Sequence, residues 1–443
     1  MRFLVIVSLF CATYAKQWPF HVQPTAAWSG HVLVRVNVAA VEDLTRLKQT
    51  LDAVHADIWS VDVEHGHTMD VWVNRDALKR LTAVVPSDAL RIEAAGEQIQ
   101  AQVEAEALRL SKSAAVAIDY RDDQQWFKEY HRFDDIRAWY GSLAERFPNL
   151  VTLVPSIGKT HEGRDIFALH LTQSNATVTQ KPQVYIQGQI HAREWISGAT
   201  VQFIVHHFVT QYGKDDEITA LLNRVELVVV PVVNPDGYEY SWTGMGNRLW
   251  RKNRRNNGGS FGVDLNRNWN VNWDDDRGSS RSPFSETYKG PSVASEPETQ
   301  AISQYFLKNT RIVGAIDVHS FSQLVLRPLG WTKQPYAHES QHKQLGDKIR
   351  DLIYSVHGKS YTSIAAIDLY ATSGTASDWF YAGKEVSGSF GHHVYGYTIE
   401  LRPKSAFGGQ GFILPPSEII PTGEEIVAAF RYFVRHVVEN PLN

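Results

Sequence analysis

Residues 182–211 read PQVYIQGQIHAREWISGATVQFIVHHFVTQ, and residues 226–233 read ELVVVPVV. The first opens as a strand over Pro182–Ile190. After Gln187-Gly188-Gln189-Ile190-His191-Ala192-Arg193-Glu194-Trp195 it becomes a helix over Ile196–Gln211. The second is an apolar run with no polar alternation. A strand apolar on both faces is one covered on both faces, as in a parallel sheet between two helical layers. Working outward, strands are predicted at Val151–Ile157, Asp165–Leu171, Ile312–Asp317, Leu324–Pro328 and Tyr397–Leu401, and helices at Phe133–Phe147, Pro297–Leu307 and His342–Gly358. Thr422-x-x-Glu425 has the form of a capping box opening the last helix, in which Ile426, Phe430, Phe433, Val434 and Val437 share one face. The expectation is an α/β unit, a mixed, largely parallel twisted sheet flanked by helices on both faces.

Upstream the pattern differs. His31–Val38 alternates like a strand, Glu42–Val54 has helical spacing, Asp57–Val63 and Thr68–Val73 read as strands, and Arg75–Leu81 as a short helix. This alternation in under 100 residues predicts a small α+β open sandwich. Residues 97–112 read as a connecting helix, with Arg109, Lys112 and Arg121 as candidate processing points. The first 15 residues, MRFLVIVSLFCATYA, pair a basic start with a short apolar run and small residues at Thr13 and Ala15, which is a signal-peptide pattern. The chain therefore divides into a signal peptide at 1–15, an N-terminal block at 16–112 and a main domain at 113–443.

The 443 residues carry 44 Lys+Arg against 48 Asp+Glu, so no basic excess points to nucleic acid. No apolar run after the leader is long enough for a membrane anchor. The single cysteine, Cys11, lies within the leader, so the mature chain would hold together without disulfides. Asn175-Ala176-Thr177 is a glycosylation sequon in a polar stretch. A secreted, extracellular protein is expected.

The chemistry gathers where strands end. His191 and Glu194 lie three apart in a strand-to-helix loop, at the sheet edge where open α/β folds bind ligands. The strand VGAID runs out at Val318-His319-Ser320, which brings His319 to the same edge. Two His and one Glu leave a fourth coordination position open, the pattern of catalytic zinc; structural zinc usually takes four protein ligands, often Cys. His-x-x-Glu alone carries little weight among 18 His and 48 acids, and His206-His207 and His392-His393 read as ordinary core or surface residues.

The wider set of motifs is specific. His161-Glu162-Gly163-Arg164, His191-x-Arg193-Glu194-Trp195, Asn234-Pro235-Asp236-Gly237 and Arg248-Leu249-Trp250-Arg251-Lys252-Asn253-Arg254 occur in order. They are followed by Asp264-Leu265-Asn266-Arg267-Asn268-Trp269, Ser285-Glu286-Thr287-Tyr288, His319-Ser320-Phe321-Ser322-Gln323, Leu369-Tyr370-Ala371-Thr372-Ser373-Gly374, Asp378-Trp379 and Glu400-Leu401-Arg402. With these the chain resembles the zinc metallocarboxypeptidases of the carboxypeptidase A/B type, made with a signal peptide and an activation propeptide. Carboxypeptidase A is itself a standard example of a His2Glu zinc site.

The resemblance implies one Zn2+ held by His191, Glu194 and His319, with Asp264 orienting an imidazole. It implies Glu400 as general base and Arg254 as the arginine that stabilises the developing oxyanion. Asn266 and Arg267 would grip the substrate's terminal carboxylate, Tyr370 would close over the site, and Arg193 and Ser320 would contact the peptide further along. It also implies peptide and protein C-termini as substrates, a trypsin-like activating protease and a monomer. Three departures stand out. The family's common disulfide would fall at Ser260 and Phe284, neither of which is Cys; residues 383–394 are longer than usual; and Phe321 replaces a frequent tyrosine. A catalytically silent relative would have lost a ligand or the base, and all are present. The metal-sharing desuccinylase and aminoacylase branch lacks the Asn-Arg-Asn-Trp motif found here.

The pocket for the C-terminal side chain would be lined by Leu326, Gly330, Ala365, Leu369, Thr372, Thr375 and Thr398, with Ser377 at its floor. Basic-specific relatives carry aspartate at that floor. An uncharged serine predicts aromatic and large aliphatic C-terminal residues, unless Arg327 turns inward and favours acidic ones.

Overall fold

A computed structural model describes residues 28–38, 44–62, 68–114, 118–174, 180–387, 392–406 and 410–442. The stretch 1–15 read as a signal peptide, the sequon at Asn175 and residues 388–391 lie outside the described residues.

The N-terminal unit is built from β1 (His31–Asn37), β2 (Asp57–Asp62), β3 (Thr68–Asn74) and β4 (Leu90–Ala95), in the order β2-β3-β1-β4 with every neighbour antiparallel. Val34, Val36, Val71 and Val73 on one face pack against Leu47, Leu51, Ala77 and Leu81 of the helices Leu44–Ala53 and Arg75–Thr82. Asn74 caps the second helix, its Oδ1 accepting from Ala77 N at 2.8 Å. The opposite face carries Leu33, Trp59 and Ala94 and is closed by the main domain, through Phe321, Ala406, Phe412 and Ile413. The sandwich is open in its own fold and complete only against its neighbour.

Strand β4 has no counterpart in the sequence reading. Its pairing with β1 shifts between Leu33 and Val34, and Ile92 is 60% exposed while Ala94 is buried, so apolar alternation does not mark it. The helix Gly96–Ala114 follows directly.

The main domain holds one eight-stranded sheet: β5 (Val151–Lys159), β6 (Asp165–Leu171), β7 (Gln183–Gly188), β8 (Glu226–Val230), β9 (Ile312–Ser320), β10 (Leu324–Arg327), β11 (Thr362–Ala365) and β12 (Tyr395–Leu401), ordered β11-β10-β12-β9-β7-β8-β6-β5. The central run β12-β9-β7-β8 is parallel, and antiparallel pairs flank it. Strand β12 shows both faces covered: the Tyr397 hydroxyl donates to His342 O on the helix Glu339–His357, while Thr398 bonds Ser377 on the helix Ala376–Ser387. The helices Trp195–Gln211 and Ile419–Glu439 bury Phe208, Phe430 and Phe433 on the first of these sides.

The capping-box expectation is corrected. The last helix begins at Ile419 and runs through Pro421 in its first turn, where the missing N–H would have had no acceptor. Thr422 is thus interior, and its buried hydroxyl has no partner. Glu425 turns to Arg402, which donates from Nε at 3.0 Å.

Candidate active site

The parallel core brings three strand ends together. β7 ends at Gly188, just before the loop of His191 and Glu194; β9 carries His319; and Glu400 of β12 is in register with His319. Nδ1 of His191 and Nδ1 of His319 face the two oxygens of Glu194, at 2.7 and 3.1 Å. Their Nε2 atoms sit on carboxylates, His191 on Asp264 at 3.0 Å and His319 on Asp317 at 2.8 Å. With each Nε2–H donated outward, both Nδ1 lone pairs point inward beside Glu194. The donor set fits zinc: three N/O ligands, buried, each imidazole braced from behind.

Electrostatics support the same centre. Burial opposes ionisation of Glu194, but His191 and His319 outweigh it and hold the carboxyl below its ordinary value. Burial likewise resists the charge on Asp264, and Arg251, His191 and Arg267 override it. At Glu400 burial prevails, with Glu194 adding repulsion against His319, and the carboxyl is pushed up to about 8. A dication at the three ligands supplies the charge that would draw it back down.

The comparisons agree with this geometry. A sequence model of the zinc carboxypeptidases matches residues 136–429. The chain belongs to that family. It is similar to carboxypeptidase A1 of Rattus norvegicus, 32% identical over 93% of this chain and 95% of that one. Carboxypeptidase B of Astacus astacus is 38% identical over 67% of this chain and 93% of its own length. The crystal structure of carboxypeptidase A from Helicoverpa armigera superposes with a TM-score of 0.81 at 27% identity, covering 93% of this chain and 98% of that one.

The carboxypeptidase corrects one sequence assignment. Arg254 does not reach the site. Its guanidinium lies 3.6 Å over Tyr240 and 4.6 Å over Phe261, and its Nε is 3.7 Å from Glu162. Arg251 is the arginine beside the ligands, with Nη2 donating to Asp264 Oδ2 at 2.9 Å and Nη1 4.0 Å from Glu194. Its carbonyl accepts from Ala192 N at 3.0 Å, so the arginine-rich loop is pinned to the ligand loop at that residue. The segment 248–255 holds four arginines, and spacing alone does not choose among them. Asp317 was also missed, although it lies two residues before His319 on a strand, and period-two alternation puts both on one face.

The remaining expected residues converge. Asn266 Oδ1 accepts from Ala376 N at 2.8 Å, and Arg267 donates from Nε to Gly278 O and from Nη1 to Asn266 O, both at 2.7 Å. Gly374, at φ 66°, approaches so closely that a Cβ there would lie 2.4 Å from Arg267 O. Ser320 N donates to Glu194 Oε2 at 3.1 Å, and Tyr370 is 43% exposed at the rim. Thr398 donates to Ser377 Oγ at 2.9 Å. Leu326 is in register with Thr398, and Arg327, one residue on, points through the other face. Ala365 is in register with Arg327 and lines a cavity together with Pro328, Leu329 and Tyr336. Ser260 donates to Pro283 O at 3.0 Å and Phe284 is 60% exposed, so a hydrogen bond and an open ring stand where the disulfide would be.

Two contacts reach across from the N-terminal unit. Asp57 of β2 receives both terminal nitrogens of Arg193, at 2.6 and 2.9 Å, and Glu106 receives Arg248 Nε at 2.6 Å. Trp59 packs edge-on against Phe412, 5.3 Å between centroids, and the Arg193 guanidinium lies 4.1 Å over the same Phe412.

A second group, His161, Glu296 and Glu298, could hold a metal by distance alone. Asn253 Nδ2 donates to Glu296 at 2.8 Å and to Glu298 at 3.1 Å, so an N–H donor faces the carboxylates where a cation would need to sit. The two carboxyls differ: His161 and Asn253 hold Glu296 below its ordinary value against burial, while Glu298 is raised. Burial pushes Glu298 up to about 7, with Glu296 adding repulsion. A carboxyl raised above its unfolded value binds an extra proton when folded, so its contribution to stability falls as pH rises from 4.5 to about 7. In Glu298→Gln that part of the decline should vanish, and the variant should melt higher than the unaltered chain above pH 7. Parallel melting curves across the range would show that Glu298 is ionised throughout.

Proposed function

We propose that the chain is a secreted proenzyme that, once trimmed, removes single aromatic or large aliphatic residues from peptide C-termini. The observation that carries the zymogen reading is Asp57 seated on Arg193, next in the chain to the metal ligand Glu194, with Trp59 and Phe321 in one apolar cluster. A peptide reaching the metal ligands must displace this strand. Among the candidate cut points, Arg109 is engaged with Glu129 at 3.2 Å and Lys112 lies inside the helix Gly96–Ala114, while Arg121 is exposed in a turn beyond it.

For the reaction, Arg267 and Asn266 hold the terminal carboxylate, the pairing that makes an exopeptidase. Arg193 and Ser320, freed of the N-terminal unit, contact the peptide upstream. Zinc, when bound, polarises the scissile carbonyl and activates water. Glu400 takes the proton from the attacking water and delivers it to the leaving amine, and Arg251, held in position by Asp264, donates to the developing oxyanion. Tyr370 folds over the open side.

The pocket supports apolar selection. The Ser377 and Thr398 hydroxyls bond each other, so the floor asks little of an incoming side chain and offers no countercharge. A buried ammonium or guanidinium without a partner is strongly disfavoured. Arg327 lies on the far face, which removes the support for acidic residues.

Two experiments test these readings. Limited digestion of the full chain with a trypsin-like protease should raise hydrolysis of an N-blocked dipeptide ending in Phe by at least about a hundredfold, with mass spectrometry placing the new N-terminus between 109 and 122; an uncut chain equally active would end the zymogen reading. On the trimmed enzyme, a peptide panel varied only in its last residue should give kcat/KM higher for Phe and Leu than for Lys and Arg. Ser377→Asp should reverse that order, and an unmoved preference would mean that the floor lies elsewhere.

A further inference from the structure

Tyr185 and Gln187 share one face of β7, and Asp317 and His319 share one face of β9, because each pair is two residues apart on its strand. The strands run parallel, with Tyr185 in register with Ala315 and Gln187 with Asp317, so the four side chains stand on a single face of the sheet. All four are buried.

They form one continuous chain of hydrogen bonds. The Tyr185 hydroxyl donates to Gln187 Oε1 at 2.8 Å, Gln187 Nε2 donates to Asp317 Oδ1 at 3.0 Å, and Asp317 Oδ2 accepts from His319 Nε2 at 2.8 Å. The polarity of the chain is forced. A carboxylate only accepts, so the amide turns its nitrogen to Asp317 and its oxygen to the tyrosine, which has a hydrogen to give. Packing fixes the far end: the Tyr185 ring meets Phe306 and Phe380 edge-on, at 5.0 and 5.6 Å between centroids.

A polar side chain inside a covered sheet is costly unless its groups are satisfied, and an apolar residue would pack as well. What the amide adds is a hold on the second oxygen of Asp317. His319 has a competing neighbour, since Asn266 Nδ2 lies 3.5 Å from the same Nε2. With Asp317 turned away, Nε2 could accept from Asn266, and the ring hydrogen would sit on Nδ1, the atom that faces Glu194 at 3.1 Å. Nδ1 would then have no lone pair to offer a metal. We propose that Gln187 and Tyr185 are positioning residues of the metal site: they fix the Asp317 carboxylate against His319 and so keep the Nδ1 lone pair of His319 available to zinc. Neither residue touches a ligand, yet the carboxypeptidase should hold its metal less tightly without them.

The readout is the equilibrium zinc affinity of the full chain, measured in competition with a chelating dye. Gln187→Met keeps the length of the side chain and removes the amide, and it should weaken zinc binding roughly tenfold, at the lower end of the range for groups that brace metal-binding histidines. Tyr185→Phe keeps the ring and frees the amide oxygen, and it should weaken binding about two- to fivefold. Asp317→Asn breaks the chain at the link next to His319, so adding Gln187→Met to it should cost nothing more. A change that merely loosened the sheet would cost the same in both backgrounds. Tyr397→Phe is the control, because it removes a buried hydroxyl of the same sheet that bonds His342 O outside this chain, and it should leave zinc affinity unchanged. A Gln187→Met affinity within about twofold of the parent, or an equal loss with and without Asp317→Asn, would overturn the proposal. If Gln187→Met or Asp317→Asn does not fold, Tyr185→Phe against Tyr397→Phe decides, and equal zinc affinities of those two would end it.

Discussion

Glu400→Gln should retain full zinc content and near-normal KM while losing kcat by roughly a hundred- to ten-thousand-fold, the range for removing a positioned general base. The substitution keeps the shape of the side chain and its place in β12, opposite His319 in register, so the ligands and the carboxylate clamp are undisturbed. What it removes is a carboxylate able to accept a proton at the sheet edge. That carboxylate stands among His319, Glu194 and Arg251, where its affinity for a proton is set by burial first and by those charges second. Elemental analysis separates loss of the base from loss of metal. A variant with normal zinc and kcat within tenfold of the parent would mean that another group carries the proton.

Arg251→Met should cost roughly a hundred- to a thousand-fold in kcat, as expected for one oxyanion donor in a water-poor site, whereas Arg254→Met should cost far less. The two arginines are three residues apart in one loop, and they differ in what they face. Arg251 meets Asp264 and Glu194; Arg254 meets the rings of Tyr240, Trp250 and Phe261. Its loss should appear as reduced thermal stability, since a guanidinium stacked on aromatic rings contributes packing as well as charge. Steady-state kinetics of both variants decide, and a larger kcat loss at Arg254 would return the role to the residue that the motif first indicated.

This pair illustrates where sequence reading reached and where it stopped. The metal ligands were legible because each follows or closes an apolar strand, and strand ends are countable in one dimension. The same holds for Glu400 and for the helices Trp195–Gln211 and Pro297–Lys308. Arg251 was not legible, because the loop from 248 to 264 has no regular period and its side-chain directions are set by hydrogen bonds to distant segments, such as Ala192 N to Arg251 O. Strand β4 was missed for a related reason: its buried partners belong to another part of the chain, so its own pattern is blurred. The start of the last helix was displaced because Thr422 and Glu425 have capping chemistry but lie in the helix interior, Thr422 with its hydroxyl unpartnered and Glu425 paired with Arg402.

The carboxylate of Asp264 deserves a last consequence. One of its oxygens accepts from His191 Nε2 at 3.0 Å and from Asn266 N at 2.9 Å, and the other accepts from Arg251 at 2.9 Å. A single side chain thereby sets a metal ligand, an anion donor and the start of the clamp segment. Mutational drift cannot adjust these parts one at a time, because any shift at 264 moves all three. Ser377 is held by one hydroxyl contact and bears on none of them. If Ser377 is the pocket floor proposed above, a laboratory selection for altered specificity should accumulate substitutions around 377 and leave 264 untouched, the reaction itself staying fixed.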